Sequence, residues 1–396
     1  LPRISVILPT YNRAPYLPEA IESVLGQSWR DFELIVVDDG STDETREVVR
    51  AYSGKIRYLR RANGGPAAAR NAGLRVARGE LIAFLDSDDV FFPWRLGCHV
   101  KAFDEFPGAG LAWSRSTFFR GRWRPGRGGG RDGERVRTKL EDIFEDLLLW
   151  RKEGMLINGV TLRASCLERS GYFDESLPLA EDYDLWLRVA AHQPVVFADR
   201  VVAACRVHAG QRDGAGFVRG DRQTAFERIL EKVVEDLPPS RCPVRVRQLV
   251  EQRRGLIALE RALVGMLLRE DSGEAARLIG EALGREARLG QFQDQIAETA
   301  SACAAALDGG DPACPRSVSV LEGLRRELPR RLRRLRRRLG KHLAHRYSQR
   351  GFALAGQGKR MESVLSGVQA LRRSPGGRML RTLGSICRGA IALQQE

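Results

Sequence analysis

Asp86-Ser87-Asp88-Asp89 sets three carboxylates within four residues, directly behind the apolar run from Glu80 to Leu85. Held together with no partner, such groups repel one another and some stay protonated. A divalent cation relieves that repulsion. Hard carboxylate oxygens suit Mg2+ or Mn2+, and Mg2+ usually completes its shell with substrate phosphates. The plainer alternative is a turn with a helix N-cap, which Asp also favours; placement behind a buried strand tips the balance to the cation. Asp38-Asp39-Gly40-Ser41 is a second acidic cluster, either a strand-to-helix turn or an acceptor of hydrogen bonds from a base or ribose. Glu181-Asp182 opens a third segment, Glu181 to Trp186. Acidic residues at a helix start are favoured by the macrodipole alone. A carboxylate placed there also suits a general base for an attacking hydroxyl, a role typically worth about 10²–10⁴ in rate. His208 and Arg206 lie in Cys205-Arg206-Val207-His208 at a strand end, where His208 suits a metal or diphosphate and Arg206 suits phosphate charge.

These groups need elements to hold them. Ile4 to Leu8, Phe32 to Val37, Ile56 to Leu59 and Glu80 to Leu85 are short apolar runs that read as buried strands. Between them, Pro15 to Gly26, a segment capped by Ser41 or Thr42 and reaching Tyr52, and Pro66 to Arg78 read as helices. Continuously apolar strands alternating with helices predict a parallel sheet covered on both faces. In such sheets ligands sit at the carboxyl ends of strands. Thr10-Tyr11-Asn12, Asp38-Asp39 and Asp86 to Asp89 all fall at such ends. A Gly- and Arg-rich loop is expected over 120–135, then a helix near 140–150, a strand near 156–162, a helix near 181–191 and one or two strands over 194–207.

Together these residues resemble the family 2 glycosyltransferases. Ile4 through Asn12 looks like their first strand and nucleotide-binding turn, and Glu33 through Asp43 like their second. Asn63-Gly64-Gly65-Pro66 through Gly73 is similar to the segment bordering the base. Asp86-Ser87-Asp88-Asp89 matches the D-x-D element; Gly171 to Glu175 followed by Glu181-Asp182 matches the acceptor side. The resemblance covers about residues 3–210 and implies a GT-A fold and inverting sugar transfer from a nucleoside-diphosphate donor, read as UDP-linked, to a glycan, lipid-linked or other hydroxyl acceptor. It implies nucleotide contacts from Pro9, Thr10, Tyr11, Asp38, Asp39, Arg70 and Asp86. It further implies Mn2+ or Mg2+ at Asp86, Asp88, Asp89 and His208, Asp182 as base supported by Glu181, and diphosphate near Arg206. Where serines often follow the family histidine, Ala209-Gly210-Gln211-Arg212-Asp213 follow His208. A nucleotide-sugar-binding protein without turnover is the alternative reading.

The 396 residues, 43% hydrophobic and 29% charged, suit a globular protein of two domains, placed at 1–215 and 216–396. No apolar run reaches the roughly 18–20 residues of a membrane span. No leader is expected ahead of the strand at Ile4, and seven scattered cysteines without ligand-like spacing suit a reducing cytoplasm. Charge divides unevenly. Residues 1–215 carry 31 Lys and Arg against 30 Asp and Glu; residues 216–396 carry 34 against 20. The second half therefore reads as an all-helical extension suited to an acidic partner. Leu321, Leu324, Leu328, Leu332, Leu335, Leu339 and Leu343 repeat at helical spacing amid Arg325, Arg326, Arg330, Arg331, Arg333, Arg334, Arg336, Arg337, Arg338 and Lys341. That pattern over 321–346 suits either an anionic membrane surface, such as the inner face of the cell membrane, or a leucine face packed on neighbouring helices. It lacks the aromatic interleaving of single-strand nucleic-acid binders, so nucleic acid is not expected.

Overall fold

The structure is a computed structural model. It describes residues 1–123, 136–149, 154–208, 221–235, 243–285, 293–307, 314–330 and 332–357, with a few further positions between and beyond. Most of the expected loop at 120–135, the residues at 209–213 and most of those after 357 lie outside the described residues. The chain divides into two compact units, Leu1–Gln211 with Arg228–Val250, and Arg212–Glu227 with Glu251–Glu396. The expected boundary at 215 lies near the first crossing, but 228–250 return to the first unit. Within that unit Lys232 pairs with Asp174, Arg241 with Asp142 and Arg245 with Glu145, and Ile229, Leu230, Val233, Val246, Leu249 and Val250 are buried.

The first unit is built on one nine-stranded sheet. β1 (Ile4–Thr10), β2 (Phe32–Asp38), β3 (Arg57–Arg60) and β4 (Leu81–Phe84) run parallel in the order 3-2-1-4. Every residue of β1 is buried, which explains its unbroken apolar run. α1 (Leu17–Leu25), α2 (Thr45–Arg50) and α3 (Pro66–Val76) make the crossovers. α3 lies so close on β1 that a Cβ at Gly73 would fall 2.6 Å from Ile7 Cγ2. Neither Ser41 nor Thr42 caps α2, as the residue pattern suggested. The N-cap position is Glu44, and one residue earlier the Asp43 carboxylate accepts from the Thr45 amide and hydroxyl at 3.1 and 2.6 Å and from the Ala14 amide at 3.0 Å.

Beyond β4 the sheet becomes mixed. β5 (Val90–Phe91), α4 (Arg95–Glu105), β6 (Leu111–Phe119), β7 (Thr138–Glu141), α5 (Phe144–Leu148), β8 (Val160–Arg163), α6 (Leu167–Ser170), α7 (Glu181–His192) and β9 (Val195–Arg206) follow. β8 pairs antiparallel with both β4 and β6, β9 runs parallel to β6, and β5 and β7 pair antiparallel with β9. β5, β6, β7 and α4 had no counterpart in the sequence reading. The span 194–207 is one long strand whose register against β6 shifts near Arg115.

α8 (Asp221–Glu235) and α9 (Pro243–Leu268) each divide between the units. α10 (Ser272–Arg285), α11 (Gln293–Leu307), α12 (Arg316–Glu327) and α13 (Arg333–Gly356) complete the second unit, with α12 packed on α10, α11 and α13. All seven leucines of the stripe are buried there, none more than 6% exposed. The stripe therefore belongs to a core, as in the second of the two readings of 321–346. Pro329 breaks the pattern, so two helices replace one.

Candidate functional site

The strand order 3-2-1-4 means that the chain leaves β1 toward β2 and later returns to its other flank at β4. A crevice forms where such connections diverge, outside the carboxyl ends of the strands. Here the pairing of β1 with β2 continues to Thr10–Asp38, whereas that of β1 with β4 stops at Ile7–Phe84. One further bond joins the Leu85 amide to the Ile7 carbonyl at 3.1 Å. Past it, Pro9 to Asn12 and Asp86 to Asp89 flank the opening. Thr10 is buried and its hydroxyl has no hydrogen-bond partner in the protein, while Tyr11 is exposed. Asn12 holds a positive φ of 50°, its amide donating to Ser41 Oγ at 3.0 Å and its side-chain oxygen accepting from the Thr42 amide at 2.8 Å. The β1 and β2 tips are thus tied together.

Asp38 is wholly buried, accepting from the Ser41 amide at 2.8 Å and the Tyr58 hydroxyl at 2.6 Å. Its two oxygens are thus engaged by the turn after β2 and by β3. Asp39 accepts from the amides of Gly64 and Gly65, the latter at 2.7 Å, and so fixes the chain entering α3. Gly65 has a φ of 89°, a conformation that a side chain would strain.

Arg70 projects from α3 and is 4% exposed. Its guanidinium donates to Asp86 Oδ1 and to Glu181 Oε1, each at 2.7 Å. Burial works against its charge, but Asp86 and Glu181 more than restore it. The Arg70 Nε is buried without a hydrogen bond. One cation therefore joins the β4 tip to the start of α7. Asp182 follows on that first turn, behind Ala180, whose φ of 63° is uncommon for a residue with a side chain. Burial and the neighbouring Glu181 push the Asp182 carboxyl above the ordinary carboxylate range, while Arg70 pulls it down.

Across the opening, His208 Nε2 lies 2.9 Å from Asp88 Oδ2, and Arg13 Nε lies 3.6 Å from the same oxygen. The His208 ring rests on Tyr16, with centroids 5.1 Å apart. Asp89 turns the other way. It is 7% exposed, accepting from the Arg206 amide at 2.8 Å and from Asn158 Nδ2 at 2.9 Å. Burial, together with Asp86 and Asp88, pushes its carboxyl up to about 8. Asp89 thereby fastens the turn to β9. Arg206 is equally enclosed. Its guanidinium is buried, donating to the Asp88 carbonyl and to Glu19 at 2.8 Å each and to the Gly121 carbonyl, and lying over the Tyr16 and Phe119 rings. It braces the D-x-D turn.

Among the described residues no group of three or more His, Cys, Asp or Glu side chains is set to hold a metal ion. Asp88 and His208 bring two donors to one place. Arg13, Tyr16, Glu19 and Asn158 escaped the sequence reading. Arg13 directly follows the Thr10-Tyr11-Asn12 turn, so extending that motif by one residue would have found it. Asn158, in a short 3-10 turn before β8, carries no local signal.

A buried parallel half-sheet with acidic strand tips around a switch-point crevice is the arrangement in which open α/β sheets bind their ligands. Residues 5–162 match the model of glycosyl transferase family 2. Similar proteins from several bacteria are named as glycosyltransferases. One from Rickettsia prowazekii, called uncharacterized, is 32% identical over 222 residues, covering 53% of this chain and 65% of that protein. Another uncharacterized glycosyltransferase, from Nostoc, is 47% identical over 105 residues, or 26% of this chain and 33% of that one. The chain thus spans less than two thirds of the curated relatives it matches. The crystal structure of S. aureus TarS 1–349 with UDP-GlcNAc aligns with a TM-score of 0.50 at 19% identity, covering 94% of this chain and 92% of that one. The first unit has the mixed, mainly parallel GT-A sheet, and the region after it is helical. Among the described residues no helix is long and apolar enough to cross a membrane.

Proposed function

We propose that the crevice carries out inverting transfer of a sugar from a nucleoside-diphosphate donor, UDP-linked in our reading, to a hydroxyl acceptor. The observation that carries this reading is the Arg70 bridge, which ties Asp86 on the donor turn to Glu181, next to Asp182. Pro9, Thr10, Tyr11 and Asp39 line the base side; the unpartnered Thr10 hydroxyl offers a hydrogen bond there. A carboxylate has about four acceptor positions, so Asp39 can accept from a base as well as from Gly64 and Gly65. Asp86 faces the ribose, and Asp88, His208 and Arg13 face the diphosphate. UDP-GlcNAc occupies the S. aureus TarS structure of the same fold.

Asp88 with His208 fits Mg2+ or Mn2+ as a partial donor set, the rest of the shell coming from diphosphate and water. The chemistry such a cation supplies when bound is neutralisation of charge on the leaving diphosphate. The protein groups do the remainder. The acceptor oxygen attacks the anomeric carbon opposite the diphosphate, whose C–O bond breaks with its electron pair. The acceptor proton passes to a carboxylate oxygen of Asp182. Arg70 keeps Glu181 paired, so that Asp182 is the carboxylate left to take that proton.

The test separates binding from turnover. Calorimetric titration of UDP, GDP and dTDP, with and without Mn2+, identifies the nucleotide in the native protein. Asp182→Asn then keeps that affinity and loses transfer by about 10²-fold or more. Transfer at the native rate by this variant removes Asp182 from the base role, and nucleotide binding without transfer by the native protein overturns the enzymatic reading.

A further inference from the structure

The arginines of the second unit are arranged by the fate of its leucines. Leu321, Leu324 and Leu328 turn inward from α12, and Leu332, Leu335, Leu339 and Leu343 from the start of α13. Cationic side chains at the intervening positions are left on the opposite side. The chain reverses in the few residues between the helices, the Leu332 amide donating to the Pro329 carbonyl at 3.0 Å. Arg336 secures this corner through the carbonyls of Leu328 and Arg326, at 2.5 and 3.4 Å, and Arg325 Nε donates to the Arg336 carbonyl at 3.2 Å. A cavity of about 470 Å³ results, lined by Arg325, Arg330, Arg333, Arg336, Arg337 and Gly340.

Five arginines thus line one open cavity, and among the described residues its lining contains no carboxylate. Like charges at this spacing repel, and the arrangement becomes favourable once an anion enters. The cavity also sits at the N-terminal end of a 24-residue helix, where the macrodipole adds positive potential. Gly340 contributes no side chain, which leaves room in the lining. Arginine is suited to phosphate in particular, because its planar fork pairs two N–H groups with two oxygens.

We propose that this cavity is a second ligand site, separate from the donor crevice, that binds a diphosphate or a closely related phosphate ester. The phosphate belongs either to a soluble molecule or to a lipid headgroup. In the second case the protein meets a membrane through headgroup recognition at this corner, with its leucines still in the core.

The full chain is titrated with inorganic pyrophosphate by calorimetry, beside Arg333→Gln/Arg337→Gln and Asp88→Asn. Arg333 and Arg337 are exposed, so their loss leaves the leucine core intact. One binding event weakens about tenfold or more in the double arginine variant and persists in Asp88→Asn. Arg330→Gln, at another exposed lining position, weakens the same event and guards against a folding defect in the double variant. Flotation with phosphatidylcholine vesicles containing phosphatidic acid, lost in the double variant, assigns the phosphate to a lipid. Pyrophosphate binding without flotation assigns it to a soluble ligand. Unchanged pyrophosphate affinity in both arginine variants overturns the site. So does a single event abolished by Asp88→Asn, since that event belongs to the donor crevice. Selective binding of duplex DNA, with none of pyrophosphate, overturns it too.

Discussion

Neighbouring carboxylates in the crevice differ because their surroundings do. Asp86 is neutralised by a buried guanidinium, Asp88 faces a histidine, and Asp89 is turned into the protein. Asp182 is displaced upward by burial and by Glu181, so its proton leaves at higher pH than the usual value of about 4 for an aspartate. A general base works only when deprotonated. Transfer is therefore expected to rise with pH along an acid limb lying well above pH ~4. Glu181→Gln removes a negative neighbour and moves that limb to lower pH. A kcat–pH profile of the native protein and the variant checks both points; a limb near pH ~4 that ignores Glu181→Gln defeats them. The contiguous motifs made Asp86, Asp88, Asp182 and their companion Arg70 legible in the sequence. The inward turn of Asp89 was not legible, because it depends on Asn158, 69 residues away. The burial of Arg206 was not legible for a related reason: an arginine beside a strand end reads as solvent-facing until its carbonyl partners and ring contacts are known.

At the scale of elements, the parallel half of the sheet was legible because each strand is a closed apolar run between turn residues. The mixed half was not. β5 has two residues, and only the first four residues of β6 are buried. α4 begins with Arg95, which reads as a surface residue although it is 0% exposed. Its guanidinium donates to the carbonyls of Asn158 and Val160 at 3.0 and 2.7 Å and to Thr161 Oγ1 at 3.0 Å. Burial lowers its proton affinity to about 9, which still leaves it charged at neutral pH. Arg95 thus fastens α4 to the start of β8, and Asn158 relays that anchorage to Asp89. Arg95→Leu orphans two buried carbonyls at about 1–3 kcal/mol each. A loss of more than about 2 kcal/mol in denaturant unfolding of the first unit is expected. A loss within about 0.5 kcal/mol, the range of ordinary surface changes, shows that the anchorage is dispensable.

For the whole molecule, charge separates two kinds of anion binding. Residues 1–215 are close to neutral, and the crevice interleaves Arg13 and Arg70 with Asp86, Asp88 and Glu181. A nucleotide there meets mostly short, oriented contacts. Residues 216–396 carry an excess of basic groups, and the charged residues described in the lining of their cavity are all arginines. Exposed charges more than a Debye length apart are screened by salt, and that length falls from about 10 Å at 0.1 M to about 3 Å at 1 M. Phosphate held by a field of exposed arginines should therefore be released by salt more steeply than nucleotide held in the crevice. Titrating pyrophosphate and the preferred nucleotide across a salt series gives two slopes of log affinity against log salt. The steeper slope belongs to pyrophosphate and flattens in Arg333→Gln/Arg337→Gln. Equal slopes, or a steep slope untouched by that variant, place the salt-sensitive phosphate binding elsewhere on the basic half and leave the cavity with no share of it.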